Sequence, residues 1–406
     1  MKVIKSRYIY LTLLILATIL ALWISSRWDV WTTPQPETEF TYVTYPDRIT
    51  MTTGENFITQ RNISWRCDTI PKPSGLLLAT PTGDTIQFIA KSNLVESIGG
   101  KDIFYKVCLD SLIEDSNYNY TVFTGDSYSG SYSFHTPKRD DIRRIAYISD
   151  VQDTIGGNSK HLFHKLHKLY SDYDFIAYGG DLIEYPIDKY WNNLFIAADS
   201  TFSTIPVVAA TGNHEYHKSI FRILDERWCN TYVYPHNGSS GREGRSYYTT
   251  DNDKLLLISI DTNGLVDPIS LWNTNRWLDK ILRHNSSKWV IVLMHHPIYS
   301  VKGTDDWFLR QTLEPLFDKY AVDVVLQNHE HNYMRLESPS GSDRPVYITS
   351  NASHKSYEIK PHESAQKVIH NIIIYQDIIM DNTKLTFTAY NTETDSIVDS
   401  FTLLNK

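Results

Sequence analysis

The sequence predicts a chain in three parts: an apolar N-terminal membrane helix, an all-β sandwich, and an α/β domain that carries the chemistry. Three observations lead there. An uncharged run from Tyr8 to Ser26 follows Lys2, Lys5 and Arg7. From about Phe40 to Pro137, short alternating stretches are broken by turn residues, as in a sandwich. After "TPKRDD" the pattern changes to strand, loop and helix, as in an α/β fold. The boundaries that follow are 1–30 for a cytoplasmic stub and membrane helix, 31–39 for a polar linker ("TTPQPETEF"), 40–138 for the sandwich and 139–406 for the α/β domain. A length of 406 residues exceeds one ordinary core and fits about two domains.

Roughly 18 or more uncharged, largely apolar residues can span a bilayer. The basic flank stays inside, so everything after Arg27 is expected outside the cytoplasm, in a periplasm or the extracellular space. A cleaved secretion signal is the alternative. Its apolar region is usually about 7–15 residues. This run is longer, and "ALWISS" is a poor cleavage site. Net charge is −8 with no long basic run in the body, which argues against a nucleic-acid binder. Of the three cysteines, Cys67 and Cys108 fall in one segment and can pair in an oxidising compartment; three unrelated thiols fit equally well.

The sandwich is built from stretches such as "NISWRC", "SGLLLAT", "DTIQFIA", "FYKVCL", "NYNYTVFT" and "GSYSFHT", with Trp65 as a core anchor. None has a catalytic spacing. The α/β part contains the apolar runs "RRIAYIS", "DFIAY", "IPVVAA", "DKLLLISID", "KWVIVLM" and "AVDVVLQ". They are short, near-continuous and rich in β-branched residues, as strands buried on both faces should be. Helical stretches such as "SKHLFHKLHKLYSDY" and "TDDWFLRQTLEPLFDKY" lie between them, and the tail "KLTFTAYNTETDSIVDSFTLL" reads as a closing hairpin.

Five of these runs end in chemistry. They deliver Asp150; Asp181; Asn213 and His214; His295 and His296; and His329 and His331. Ligands in α/β sheets bind beyond the carboxyl ends of strands, so five strands are expected to meet at one edge. One strand-end Asp is more often a turn or a helix cap; the coincidence of five is specific. Carboxylate and amide oxygens with imidazoles, and no thiolate, suit Zn, Mn or Fe. Six or seven ligands exceed the three or so of a single catalytic zinc and imply two ions about 3.5–4 Å apart sharing a bridge. Asp181 can bridge, and Gly179 and Gly180 let the chain bring it close.

The order "SDVQ", "GDLIEY", "GNHE", "VLMHHPIY" and "NHEHNYMR" resembles the calcineurin-like metallophosphoesterases, most of all their purple acid phosphatase branch, over about Arg143 to the C-terminus. The stretch "YKVCLDSLIEDSNYNYTVFTGDSYSGSYSFHTP" resembles the closing strands of the fibronectin-III-like sandwich that precedes such domains. The resemblance implies a four-layer αββα domain and an acid phosphatase-like activity. It also implies a ligand set: Asp150 and His331 on one ion, Asn213, His295 and His329 on the other, and Asp181 between them. His214 and His296 would face the substrate. Gln152, Tyr333 and Arg335 would support the site or touch substrate.

Three departures matter. The purple enzymes place an iron-binding tyrosine three residues after the bridging Asp; here Glu184 stands there and Tyr185 follows, so both are candidate ligands. Gln152 replaces the third residue of the first motif. Asn328 replaces a glycine, as a strained backbone tolerates Asn better than most residues.

The expected reaction is hydrolysis of a phosphomonoester on a small molecule or phosphoprotein. Metals would lower the pKa of a shared water to give the hydroxide nucleophile, and His214 would protonate the leaving oxygen. A phosphodiesterase or nucleotide pyrophosphatase on the same fold is the alternative. A surface module with a decayed phosphatase domain is the non-enzymatic one, against which the intact ligand set argues. His161, His164 and His167 share a helix with the apolar stripe Leu162, Phe163, Leu166 and Leu169 and read as its solvated side. His354 and Lys355 follow the strand "PVYITS" and are further candidates to reach the phosphate.

Overall fold

The computed structural model describes residues 2–405 except 34, 35, 39–41, 156, 158, 170, 171, 220, 221, 243, 266, 304, 305, 340, 342 and 361. The basic-then-apolar N-terminus forms one helix, Lys2–Thr32, whose stretch Tyr10–Asp29 buries nothing against the rest of the chain. It is long and apolar enough for an anchor, and a signal sequence has the same character.

Period-two alternation builds the next region. Asp47–Thr53, Arg61–Arg66, Lys101–Leu109 and Lys91–Glu96 pair antiparallel in that order. Facing them, Ser74–Ala79 lies between Thr85–Ile89 and Ser116–Thr124, and the last also pairs with Tyr132–Thr136. Tyr118, Tyr120 and Val122 point inward from alternate positions of one strand. Trp65 is fully buried, stacks on Tyr105 with ring centroids 5.7 Å apart, and donates Nε1–H to Thr124 Oγ1 at 3.0 Å. The Cys67–Cys108 pairing is absent, and all three cysteines are free. Cys108 lies between the buried Val107 and Leu109, so the same alternation turns it outward, while Cys67 is in the core.

Two mixed sheets follow. In the first, Arg143–Ile148, Phe175–Tyr178 and Val207–Ala209 are parallel neighbours, extended by the antiparallel strands Ile374–Met380, Lys384–Asn391 and Ile397–Leu404. In the second, Leu255–Ile260, Trp289–Met294, Val324–Gln327 and Val346–Thr349 are parallel. Every residue of the Phe175–Tyr178, Trp289–Met294 and Val324–Gln327 strands is buried, as their unbroken apolar runs predict.

Helices Lys160–Lys168 and Asp188–Ala198 pack Leu162, Phe163, Leu166, Trp191 and Leu194 onto the first sheet. Helices Pro268–Arg283 and Trp307–Lys319 cover the second with Leu278, Leu282, Leu313 and Phe317. Inward residues of both sheets, Ile145, Ile176, Leu257 and Ile291 among them, share one core.

The structure revises one expectation and adds one connection. The ligand-bearing strands do not share one sheet edge: three belong to the first sheet and two to the second, and their carboxyl ends meet where the sheets face each other. The two regions are also joined, because Asp47–Thr53 pairs parallel with Val207–Ala209 at Thr52↔Val207, making one ten-stranded sheet. That contact covers an edge that would otherwise be open to another chain.

Truncating Trp65 removes a fully buried indole from the core of the first region. Trp65→Ala is expected to cost about 3–5 kcal/mol, measured by urea denaturation followed by circular dichroism.

Candidate metal centre

The loops after the parallel strands are forced into unusual backbone. Asp150 (φ 53°), Asp181 (φ 52°), His329 (φ 77°) and His331 (φ 51°) are all left-handed. Asp and His tolerate that region better than most residues. It bends each chain back so that the side chain turns into the gap between the sheets. Asn328, expected to be the strained residue, is not among the left-handed ones; the strain falls on His329. Asn328 acts through its side chain. Its Nδ2 donates to Gly179 O at 3.2 Å and Met294 O at 3.0 Å, and its Oδ1 accepts from Tyr147 Oη, which ties the first sheet to the second.

Close approach explains two glycines. Gly180 is at φ +93°, and a Cβ there would lie 2.7 Å from Gly212 N. A Cβ on Gly212 would lie 2.1 Å from Asp181 Oδ1. Glu215 then fixes the Asp181 loop. Fully buried, it accepts N–H groups from Gly212 (2.6 Å), Leu182 (2.7 Å), Asp181 (3.0 Å) and Ile183 (3.4 Å). Sequence reasoning gave Glu215 no role. Its signal was present: an acid three residues after Gly212, reaching back to the start of a short helix as in a capping box.

Around one point, His295 Nε2 lies 3.2 Å from Asp181 Oδ2, 3.2 Å from Asn213 Oδ1 and 3.2 Å from His329 Nδ1. His295 Nδ1 is 3.0 Å from Gly179 O, which can only accept, so Nδ1 carries hydrogen and Nε2 is the nitrogen turned to the cluster. Two oxygens and two ring nitrogens thus converge, and one proton can satisfy only one pair of them. Nearby, His331 Nε2 lies 3.8 Å from Asp150 Oδ1. His331 Nδ1 faces Asn351 Oδ1 at 3.3 Å and Ser353 Oγ at 3.1 Å, again leaving Nε2 free to ligate. Asp150 is fully buried; its Oδ2 accepts from Ser149 Oγ at 2.7 Å and His329 N at 3.3 Å, and its Oδ1 has no hydrogen-bond partner. Converging lone pairs and an orphaned carboxylate oxygen are what a cation site looks like before the cation.

The electrostatics agree. Burial and the neighbouring Asp181 carboxylate push Asp150 and Glu215 upward. Burial would raise Asp181 too, but the His295 and His214 rings hold it well below the usual carboxylate range. Burial opposes charge on His295, yet Asp181, Asp150 and Glu215 outweigh it and push the imidazole up to about 9. His329 and His331 go the other way, down to about 3 and about 4, chiefly through burial. The site is short of positive charge and has neutral imidazoles ready to bind it.

The remaining candidates divide. His214 Nδ1 donates to Glu184 O, its Nε2 lies 3.8 Å from Asp181 Oδ2, and its backbone N–H donates to Asp181 Oδ1 at 2.9 Å. His296 Nδ1 meets Thr262 Oγ1 at 2.8 Å, and its ring packs 5.1 Å from His295 and 5.0 Å from His329. Gln152 Nε2 is 3.5 Å from Asp181 Oδ2, and its Oε1 accepts from Lys355 Nζ at 3.0 Å. Glu184 pairs with Lys355, and the Tyr185 ring lies against His214 (6.0 Å) and Tyr190 (5.7 Å). Tyr333 and Arg335 are drawn elsewhere. Tyr333 Oη and Arg335 Nε each reach Asp399 Oδ2 at 2.8 Å, pinning the C-terminal hairpin.

Known proteins fit this picture. Residues 143–333 match the family described as calcineurin-like phosphoesterase. An uncharacterized protein of Mycobacterium tuberculosis is 25% identical over 325 residues, covering 70% of this chain and 60% of its own length. A phosphoenolpyruvate phosphatase of Allium cepa is 25% identical over 244 residues, 56% of this chain and 49% of its own. The chain therefore spans about half to 60% of these relatives. Purple acid phosphatase PPD1 from yellow lupin (Lupinus luteus) seeds shares the fold with a TM-score of 0.69, at 16% identity, over 89% of this chain and 74% of that one.

Gly212→Ala places a methyl group on the Asp181 carboxylate. Bound metal is expected to fall at least about tenfold, by elemental analysis after gel filtration, with the circular dichroism spectrum retained.

Proposed function

From the match of residues 143–333 to the calcineurin-like phosphoesterases we propose that the chain is a purple acid phosphatase-like dinuclear enzyme hydrolysing phosphomonoesters outside the cytoplasm, anchored by its N-terminal helix. The observation that carries the reading is the double convergence of acceptors, at His295 Nε2 and at the orphaned Asp150 Oδ1. In this reading the layers are a fibronectin-III-like sandwich and a four-layer αββα domain.

Asp150 and His331 would hold one ion, Asn213, His295 and His329 the other, and Asp181 would serve both. Metals in such a pair supply Lewis-acid activation of water and neutralise the phosphoryl oxygens. The donor set of O and N atoms suits Fe, Zn or Mn. Glu184 is taken by Lys355, and Tyr185 packs on the His214 ring, so neither is assigned as a ligand.

His214 has the geometry of a general acid. Its Nδ1–H is committed to Glu184 O, so Nε2 is the atom that carries the exchangeable proton. That nitrogen lies 3.8 Å from Asp181 Oδ2, at the edge of the ligand cluster. During turnover Nε2–H passes its proton to the departing oxygen as the phosphorus–oxygen bond breaks. His296 is fixed through Nδ1 by Thr262, which in this reading leaves its other nitrogen for the substrate. The name of the onion relative, a phosphatase acting on a phosphomonoester, supports that substrate class.

His214→Ala is expected to lower kcat on an aryl phosphomonoester by about 10²–10⁴ while sparing metal content. Unchanged turnover would remove His214 from the reaction. A monoaryl phosphate should be turned over faster than a diaryl phosphate; the reverse order would favour a phosphodiesterase. The metal-loaded protein should show no tyrosinate-to-iron band in the visible spectrum, because no tyrosine is assigned to the site.

A further inference from the structure

Glu37 belongs to the stretch that reads in sequence as a polar linker, yet its side chain is only 4% exposed. Oε1 accepts from Asp188 N at 2.6 Å and from Arg227 Nη1 at 2.6 Å, and Oε2 accepts from Gly99 N at 3.1 Å. One carboxylate thus joins the segment after the membrane helix, a turn of the sandwich, and the first residue of the helix Asp188–Ala198. Helix N-termini favour an anion. Asp188 is also bound by Arg48 (2.7 Å) and Arg66 (3.3 Å), so the entry to the first strand is fixed at the same place.

The docking point lies on the catalytic edge. Asp188 ends the loop that begins at Asp181 and carries Glu184, whose carbonyl holds His214. A turn closed by Ile187 N to Tyr185 O at 2.8 Å separates the two, and Arg227 Nη2 holds Pro186 O at 2.9 Å. Four residues separate Thr32 from Glu37, and the five steps between them reach at most about 18 Å. A folded body of this size is about 50 Å across, so the tether had room to dock far from the site. Exposed apolar groups flank it: Ile98 beside Gly99, and Tyr42 and Tyr45 ahead of the first strand. Aromatic and apolar side chains of this kind favour the bilayer interface.

We propose that Glu37 is a positioning residue that turns the catalytic edge toward the bilayer, and that the substrate is a phosphomonoester headgroup on a membrane amphiphile. This rests on the phosphatase reading and on retention of the helix.

The test uses the metal-loaded full chain in phosphatidylcholine nanodiscs doped with phosphatidic acid, assayed against that lipid and against soluble p-nitrophenyl phosphate. One variant inserts about 20 Gly/Ser residues between Thr32 and Thr33, adding a mean span of about 25 Å while leaving every contact of the body in place. A second is Glu37→Ala. Both are expected to lower phosphatidic acid turnover at least about tenfold while soluble turnover stays within about twofold. An unchanged ratio in the insertion variant would overturn the proposal. So would a wild-type chain that hydrolyses only the soluble ester, or an intact mass showing cleavage before Glu37. Failure of the wild type on both substrates would instead overturn the phosphatase reading beneath it.

Discussion

The site depends on backbone that the chain would not choose alone. Four of the residues assigned to metal binding are left-handed: Asp150, Asp181, His329 and His331. Each such residue costs about 1–2 kcal/mol relative to ordinary helical or extended backbone. The cost is met by groups that do nothing else. Glu215 gathers four backbone N–H groups around Asp181, and Asn328 gathers two carbonyls and the Tyr147 hydroxyl around Gly179. Both are fully buried, so each hydrogen bond is made without water as a competitor. Strain at the ligands and satisfaction behind them are two halves of one arrangement.

Charge explains why such a site asks for a cation. Three buried carboxylates, Asp150, Asp181 and Glu215, cluster around one imidazole that is drawn toward the charged form. Two more imidazoles are drawn toward the neutral form by burial. Hydrogen bonds to Gly179 O and Asn351 Oδ1 settle which nitrogen of His295 and His331 is available. A proton relieves one contact; a multivalent ion relieves all of them, because it accepts from several lone pairs at once.

Much of this was legible in sequence, for a physical reason. Strands buried on both faces must be apolar along their whole length, so a polar residue at the end of "DFIAY" or "KWVIVLM" stands out against them. The same contrast exposed Asn213, His329 and His331. Two kinds of fact were not legible. The partition of the strands between two sheets depends on pairing across long separations, such as Thr52 with Val207, which leaves no local pattern. Supporting roles were harder to read because most of their partners are backbone atoms: Glu215 shows only the spacing of a capping box, and Asn328 stands out for its place in the motif and not for the side chain that ties the sheets. Tyr333 and Arg335 show the opposite case. The family resemblance suggested a role beside His331, but strand alternation and Asp399 carry them to the hairpin.

The departure at Glu184 now has a structural account. A carboxylate at that position would add a further negative charge to a cluster that already holds three. Lys355 cancels it through a direct ion pair and passes a second hydrogen bond to Gln152, which in turn approaches Asp181. The changes at Gln152 and Glu184 are therefore not independent losses from the purple pattern. With Lys355 they form one connected chain of polar contacts along the edge of the site. Electrostatically the result is neutral where a tyrosinate would have been anionic. A metal on the Asp150 and His331 side would thus keep more of its positive charge for the phosphoryl group, which is the quantity that Lewis-acid catalysis uses.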